Sequence, residues 1–247
     1  MGFTTGGRDK GAWKANILTT RESNRIKKRE RRNGSMTKTN IDHPLEKIYF
    51  MGDLHYQHKN VIELDSRPFP DLATMEEYIR GELEKTLDSD CLLFDLGDMF
   101  FGTRENRFQE LISSIPCPVY KVFGNHDKQD FFLKHYDDFK GFYDILGLMI
   151  GEEYKITLSH YPILDFPYMY HGGLAIFGHT HGHLDEFVSS IPNLMLDIGF
   201  SSRFSKMRGT FLHPLPCIIE EFMKKTGGVD FKTWANEQYH SENSLWR

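Results

Sequence analysis

The chain has 247 residues, 39% hydrophobic and 14% aromatic, which is enough to bury one sizeable core and excludes a disordered protein. The longest apolar run, Ile145–Ile150, is far shorter than the roughly 20 residues that cross a bilayer. The polar start of the chain does not resemble a secretory signal, so we predict a cytoplasmic protein without membrane contact. Its three cysteines form no CxxC pair, which favours reduced thiols.

Charge divides the chain into two segments. Residues 1–40 hold 11 of the 30 Lys and Arg but only 3 of the 35 Asp and Glu, a net +8, whereas residues 41–247 carry a net −13. We therefore predict a basic, flexible arm over residues 1–40 and one globular domain over residues 41–247. Residues 25–32 could bind nucleic acid by neutralising phosphates, although such charge runs are commonly solvated tails. A start at Met36 is an alternative.

From Lys47 onward, short apolar runs alternate with longer amphipathic stretches, which is the pattern of an α/β domain. The predicted strands cover residues 48–51, 91–96, 119–123, 154–158, 174–177 and 194–198. The predicted helices cover residues 74–87, 104–115, 128–140 and 230–239. Thr74 and Glu77 suit a capping box at the start of the first helix. Pro214 and Pro216 are expected to break the pattern.

Five of these strands end in a small residue that is followed at once by Asp, Asn or His. The motifs are Gly52-Asp53-Leu54-His55, Gly97-Asp98, Gly124-Asn125-His126-Asp127, Ser159-His160 and Gly178-His179-Thr180-His181. Each motif alone is commonly a turn. Because open α/β sheets bind ligands at the carboxyl ends of their strands, the motifs together predict one shared site.

In this order the motifs resemble the signature of the calcineurin-like metallophosphoesterases, from Lys47 to about Phe200. The resemblance extends to small bacterial and bacteriophage members, in which His58-Lys59-Asn60, Arg67-Pro68-Phe69 and Ser159-His160-Tyr161-Pro162 also recur. It implies an α/β sandwich of two packed β-sheets flanked by helices. It also implies an enzyme that hydrolyses a phosphate ester at a binuclear metal centre.

The resemblance further implies a role for each motif residue. One metal is held by Asp53, His55 and His181, the other by Asn125, His160 and His179, and Asp98 bridges them. His126 matches the non-ligand histidine that protonates the leaving oxygen. Imidazoles, carboxylates and an amide oxygen suit transition metals, and the lack of cysteine ligands argues against a structural zinc site. We predict two divalent ions, Mn²⁺ first, with Fe, Zn²⁺, Ni²⁺ or Co²⁺ as alternatives.

Other polar residues near the motifs are candidates for further roles. Three residues in the loops after the first and second strands could contact a substrate phosphate: Asn60, Arg67 and Arg104. Asp127 is expected to cap or orient the helix that follows it. Asp197, in Leu196-Asp197-Ile198-Gly199, is expected to support a site histidine.

The chain departs from the Ser/Thr phosphatases of this superfamily after the second motif. Those enzymes read Gly-Asp-x-x-Asp-Arg-Gly, whereas residues 97–102 lack both the second Asp and the Arg that grips phosphate. Two dications with Asp53, Asp98 and a hydroxide carry about +1 by formal count, which a diester monoanion neutralises. We therefore favour a phosphodiester substrate, either a nucleotide or nucleic acid.

Three alternatives to phosphodiester hydrolysis remain. They are a phosphomonoesterase that acts on a small molecule, a non-catalytic metal-binding scaffold, and a nucleic-acid-binding protein that works through the arm. The sequence makes no prediction of the oligomeric state.

Overall fold

The computed structural model describes residues 37–240 of the chain. Its strands are β1 (Thr37–Ile41), β2 (Ile48–Met51), β3 (Leu92–Asp95), β4 (Val119–Val122), β5 (Gly141–Tyr143), β6 (Ile145–Ile150), β7 (Tyr154–Ser159), β8 (Leu174–Phe177), β9 (Met195–Asp197) and β10 (His213–Pro214). They form two five-stranded sheets. Sheet I has the order β10-β2-β3-β4-β5, and sheet II has the order β1-β6-β7-β8-β9.

The helices lie in the connections between strands and at the end of the described residues. They are α1 (Val61–Leu64), α2 (Leu72–Thr86), α3 (Glu105–Ser113), α4 (Gln129–Lys134), α5 (Asp185–Ser190), α6 (Arg203–Arg208), α7 (Leu215–Lys225) and α8 (Phe231–Ala235). A π-helical turn, Asn236–His240, continues α8. Within residues 37–240, no helix has both the length and the apolar character that a membrane span requires.

Strand directions bring the predicted motifs to one edge of each sheet. In sheet I, β2, β3, β4 and β5 are parallel and β10 pairs antiparallel with β2. In sheet II, β6 and β7 are antiparallel, whereas β7, β8 and β9 are parallel. The carboxyl ends of β2, β3 and β4 therefore lie side by side, and so do those of β7 and β8.

Side-chain alternation gives each central strand two buried faces. In β2, Ile48 and Phe50 belong to the apolar cluster between the sheets, which also contains Leu158 of β7. Met51 points the other way and joins Ile79 in a cluster under α2 and α3. A smaller cluster lies between the outer face of sheet II and helices α5 and α8. The order helix, sheet, sheet, helix confirms the predicted α/β sandwich.

The six predicted strands match the observed ones to within one residue at each end. The first long helix begins at Leu72, before the predicted Thr74, because Asp71 accepts a hydrogen bond from the Thr74 N–H (2.8 Å). The predicted capping box was therefore wrong. The prolines also act differently from the prediction, since Pro214 precedes α7 and Pro216 occupies its first turn, where a missing N–H costs no hydrogen bond.

Strand β1 was not predicted, because its sequence Thr-Lys-Thr-Asn-Ile contains a single apolar residue. It pairs in parallel with β6 at the edge of sheet II, from Thr37 opposite Leu146 to Ile41 opposite Ile150. Residues 37–40, assigned to the arm by their charge, thus belong to the sheet. The rest of the predicted arm, including residues 25–32, lies outside the described residues.

Candidate metal centre

The loops that follow the parallel strands of sheet I are joined by backbone hydrogen bonds. Asp53 donates its N–H to the carbonyl oxygen of Gly97 (3.0 Å), and His55 donates its N–H to that of Asp98 (2.8 Å). The first two motifs therefore form one unit. Their side chains are buried, so the polar groups require partners.

Donor atoms of the predicted ligands form two overlapping clusters, with all atoms of a cluster within 4.8 Å of one another. The clusters are Asp53, His55 and His181, and Asp53, Asp98 and His160. The last two predicted ligands border the second cluster. Oδ1 of Asn125 lies 2.9 Å from Nε2 of His160 and 3.0 Å from Nδ1 of His179. The structure thus brings all the predicted ligands together.

The carboxylate of Asp98, which belongs to the second cluster, also approaches a histidine of the first. Its Oδ2 is 3.7 Å from Nε2 of His55 and 3.5 Å from Nε2 of His160. Its Oδ1 accepts a hydrogen bond from the N–H of His126 (2.8 Å). This arrangement leaves Oδ2 directed toward histidines of both clusters.

Hydrogen bonds fix which ring nitrogens face the centre. Nδ1 of His181 donates to the carboxylate of Asp65 (2.6 Å), so Nε2 of His181 carries a lone pair. That nitrogen faces Nε2 of His55 at 3.2 Å. Nδ1 of His160 donates to a backbone carbonyl (2.9 Å), which leaves its Nε2 as an acceptor beside Oδ1 of Asn125. The facing acceptors of His160 and Asn125 repel unless a cation lies between them, so this donor set fits a divalent metal ion.

The protonation states also fit metal binding. Burial lowers the pKa of His55 to about 2 and that of His160 to about 4, so both rings are neutral near pH 7. Burial, together with the neighbouring Asp197 and Asp98, raises the pKa of Asp53 well above its ordinary value. Oδ1 of Asp53 is buried and has no hydrogen-bond partner among the described residues. A bound cation would neutralise the negative charge that Asp53 shares with these neighbouring carboxylates.

Backbone strain is concentrated in the predicted ligands. Those with a left-handed backbone are Asp53 (φ 53°), His55 (φ 51°), Asp98 (φ 53°), His179 (φ 68°) and His181 (φ 50°). Among the other described residues, the non-glycine residues with positive φ are Gln57, Ser66 and Tyr168. Each such residue costs about 1–3 kcal/mol and persists where its surroundings determine it, commonly at functional sites.

Two further carboxylates hold the histidine loop after β8. Oδ2 of Asp65 accepts from His181 and from the hydroxyl of Ser201 (2.7 Å). Burial would raise the pKa of Asp65, but these hydrogen bonds lower it below its usual value. Asp197 accepts from the hydroxyl of Thr180 (2.5 Å), the residue before His181. Asp197 therefore holds this loop through Thr180 and Gly182, whereas the prediction was support for a histidine.

A buried ion cluster lies under the second and third motifs. Nζ of Lys121, which is fully buried in β4, donates to Asp95 (2.5 Å) and to Asp127 (2.6 Å). Oδ2 of Asp127 also accepts from the N–H groups of Asp98 (2.9 Å) and Gly124 (2.7 Å). Asp127 thus ties two strand-end loops together. The expected cap was wrong, because α4 begins without a side-chain cap.

The three residues predicted to contact substrate differ in their exposure to solvent. Arg67 is 5% exposed, and its guanidinium donates to the carbonyl oxygens of Asp53 (2.8 Å) and Leu54 (2.9 Å). The predicted phosphate contact of Arg67 was wrong, since its donors hold the backbone of the first motif. Asn60 and Arg104 are exposed, and their contact with substrate stays a prediction.

His126 lies beside the predicted ligands without belonging to either donor cluster. Its half-buried ring is 5.4 Å, between centroids, from the ring of His55 and 5.7 Å from that of Phe101. Its backbone is fixed by the hydrogen bond to Asp98. This is a suitable position for a group that acts on substrate while the neighbouring side chains hold metal.

Close packing around Asp53 predicts a large effect at Gly199. A Cβ on Gly199 would lie 2.1 Å from Oδ2 of Asp53, which accepts the N–H of His179 (2.8 Å). Gly199→Ala should therefore destabilise the metal-free protein by about 1–3 kcal/mol in urea unfolding. As a control, Gly81→Ala in α2 meets nothing within 4 Å and should stabilise by about 0.5–1 kcal/mol. Unchanged stability of Gly199→Ala would contradict the packing.

An α/β sandwich that gathers Asp, Asn and His donors at the carboxyl ends of its strands defines a metal-binding hydrolase. The calcineurin-like phosphoesterase family matches this chain over residues 46–194, and the chain belongs to that family. It is therefore a metallophosphoesterase, a hydrolase of phosphoric ester bonds that uses divalent metal ions. The predicted family and enzyme class are confirmed.

Two relatives with no assigned activity resemble this chain. The uncharacterized protein MJ1445 of Methanocaldococcus jannaschii is 26% identical over 145 residues, which cover 58% of this chain and 74% of that protein. The crystal structure of AQ665, a protein of unknown function from Aquifex aeolicus, aligns with a TM-score of 0.50 and 25% identity. It covers 62% of this chain and 90% of the Aquifex chain.

Proposed function

We propose that the protein hydrolyses a phosphodiester at a binuclear centre, in the cytoplasm. Asp53, His55 and His181 would hold one cation, Asn125, His160 and His179 would hold the other, and Asp98 would serve both. The observation that carries this proposal is a pair of facing acceptors: Nε2 of His160, whose Nδ1 donates to a backbone carbonyl, lies 2.9 Å from Oδ1 of Asn125. When bound, two divalent cations neutralise phosphoryl charge and acidify water, and Mn²⁺ is the ion that we expect.

In this proposal the chain itself supplies the proton for the leaving group. Water adds to phosphorus and releases one proton to solvent, the P–O bond to the leaving alcohol breaks, and His126 gives a proton to the departing oxygen and regains one from solvent. Hydrogen bonds donated to the carboxylates of Asp65, Asp197 and Asp127 keep the ligand-bearing loops in place. Burial lowers the pKa values of His55, His160 and His179, which favours the neutral form of these three rings.

Metal removal tests the proposed function. Chelated protein should not hydrolyse p-nitrophenyl mono- or diesters, and reloading with Mn²⁺, Fe²⁺, Zn²⁺, Ni²⁺ or Co²⁺ should restore hydrolysis, most strongly with Mn²⁺. Metal analysis of each reloaded sample gives the bound stoichiometry. Two bound ions without hydrolysis would favour the scaffold alternative. Nucleic-acid binding through residues 25–32 remains a separate prediction.

The charge of the centre predicts a preference for diesters. Arg67 is committed to backbone carbonyls, so it cannot offset the second negative charge of a monoester. We expect kcat/KM with Mn²⁺ to be higher for bis(p-nitrophenyl) phosphate than for p-nitrophenyl phosphate, after correction for intrinsic reactivity. A monoester advantage would contradict the charge argument. If Arg104→Ala then removed that advantage, Arg104 would be the compensating cation.

A further inference from the structure

An exposed aromatic ring borders the proposed proton donor. The side chain of Phe101 is 37% exposed, although Met99 and Phe100 just before it are fully buried. Its ring centroid lies 5.7 Å from that of His126. Single exposed apolar side chains are ordinary, so it is the position of this ring that matters.

Contacts fix the Phe101 ring in place. Its N–H donates to the carbonyl oxygen of Tyr56 (2.8 Å), which ties the loop after β3 to the loop after β2. Its ring lies nearly parallel to that of His58, with a centroid distance of 4.1 Å and an interplanar angle of 20°. His58 therefore covers part of the ring, and the rest is open to solvent. A ring that is already ordered loses little conformational entropy when a ligand stacks on it.

We infer that Phe101 is a specificity-determining residue that binds a planar aromatic ring in the leaving group of the substrate. The inference rests on the proposed function, because the leaving oxygen must lie beside His126 to receive its proton. Phe101 offers an exposed apolar surface beside that position, along which the remainder of the leaving group can lie. Stacking on a protein aromatic ring recognises a flat π-system whatever its polar substituents.

Two sources of such a ring are a simple aryl-substituted alcohol and the base of a nucleoside. For each source, an ester whose leaving alcohol carries the flat ring can be compared with an ester whose leaving alcohol is of the same type but lacks that ring. Benzyl methyl phosphate is matched by cyclohexylmethyl methyl phosphate, since both release a primary alcohol with a six-membered ring. The methyl ester of adenosine 5′-phosphate is matched by the methyl ester of ribose 5-phosphate. Release of the larger alcohol is measured by chromatography with Mn²⁺-loaded full-length protein.

For the wild type we expect a higher kcat/KM for the planar member of at least one pair. Phe101→Ala should lower kcat/KM for that ester about tenfold and lower that of its non-planar partner less, so that the preference is lost. Phe101→Tyr should retain the preference. The control Tyr170→Ala removes a ring that is also 37% exposed but precedes β8, at the opposite end from the metal centre, and should change neither ester. Dependence on Phe101 in one pair identifies that source of the ring.

Binding separates failure of this inference from failure of the proposed function. Calorimetry with benzyl phosphonate and cyclohexylmethyl phosphonate, which are not hydrolysed, should give tighter binding of the benzyl compound in the wild type and equal binding in Phe101→Ala. If no ester is hydrolysed yet this difference is found, the stacking surface stands and the proposed reaction fails. Equal losses for planar and non-planar compounds in Phe101→Ala would overturn the inference, because Phe101 would then act only by supporting His58 and His126.

Discussion

Replacement of Asp98 by Asn should lower the hydrolysis of bis(p-nitrophenyl) phosphate about 10³-fold and reduce bound metal from two ions to one or none. Metal charge contributes several kcal/mol to transition-state stabilisation, and about 4 kcal/mol corresponds to that factor. Oδ2 of Asp98 lies within 3.7 Å of histidine nitrogens in both donor clusters. Metal analysis and steady-state kinetics measure the two effects.

Stability of the metal-free protein distinguishes a lost ligand from a damaged fold. Burial and the neighbouring Asp127 raise the pKa of Asp98, so the charged carboxylate is unfavourable in the absence of metal. Metal-free Asp98→Asn should therefore be at least as stable as metal-free wild type in urea. Asp71→Asn is the matched control, since it neutralises the cap of α2 and should leave metal content and turnover unchanged. Wild-type activity with two tightly bound ions in Asp98→Asn would refute the bridging role.

His126→Ala should keep both metal ions and slow hydrolysis about 10²- to 10⁴-fold for esters with poor leaving groups. His126 is not one of the seven proposed ligands, so metal content should not change. An activated nitrophenolate needs little protonation and should be affected least. Rates across a series of esters with increasing leaving-group basicity, with metal analysis of each sample, test both parts.

His183→Ala is the matched control for this experiment, because His183 is an exposed histidine close to the ligands His179 and His181. It should leave the rate unchanged for every leaving group. Equal losses across the series in His126→Ala would remove the proton-donor role. Loss of metal from that variant would instead make His126 a ligand.

The sequence was sufficient to predict the strand-end part of the site. In each motif a buried apolar strand ends in a small residue and then a polar one. This pattern is local, so it can be recognised in the sequence without knowledge of the fold. Parallel strands then bring distant motifs to the same edge. The assignment of Asp53 and His181 to one metal came from the family resemblance, and their donor atoms do lie in one cluster.

Interactions between segments without a local pattern could not be predicted. Asp65 bonds to His181 across 116 positions of sequence, and its loop has no periodicity to mark it. The burial of Arg67 depends on two carbonyl oxygens that become available only when the first motif adopts its left-handed backbone. Lys121 did leave a signal, since a lysine inside a buried strand requires charged partners.

The measurement that tests the binuclear phosphoesterase most directly is a calorimetric Mn²⁺ titration of chelated full-length protein, with hydrolysis of bis(p-nitrophenyl) phosphate followed at each addition. We expect no hydrolysis before Mn²⁺ is added, two ions bound per chain at saturation, and a rate that rises until the second ion is bound. Full hydrolysis by the metal-free protein, or a maximal rate with a single ion bound, would contradict the two-metal centre formed by these seven ligands.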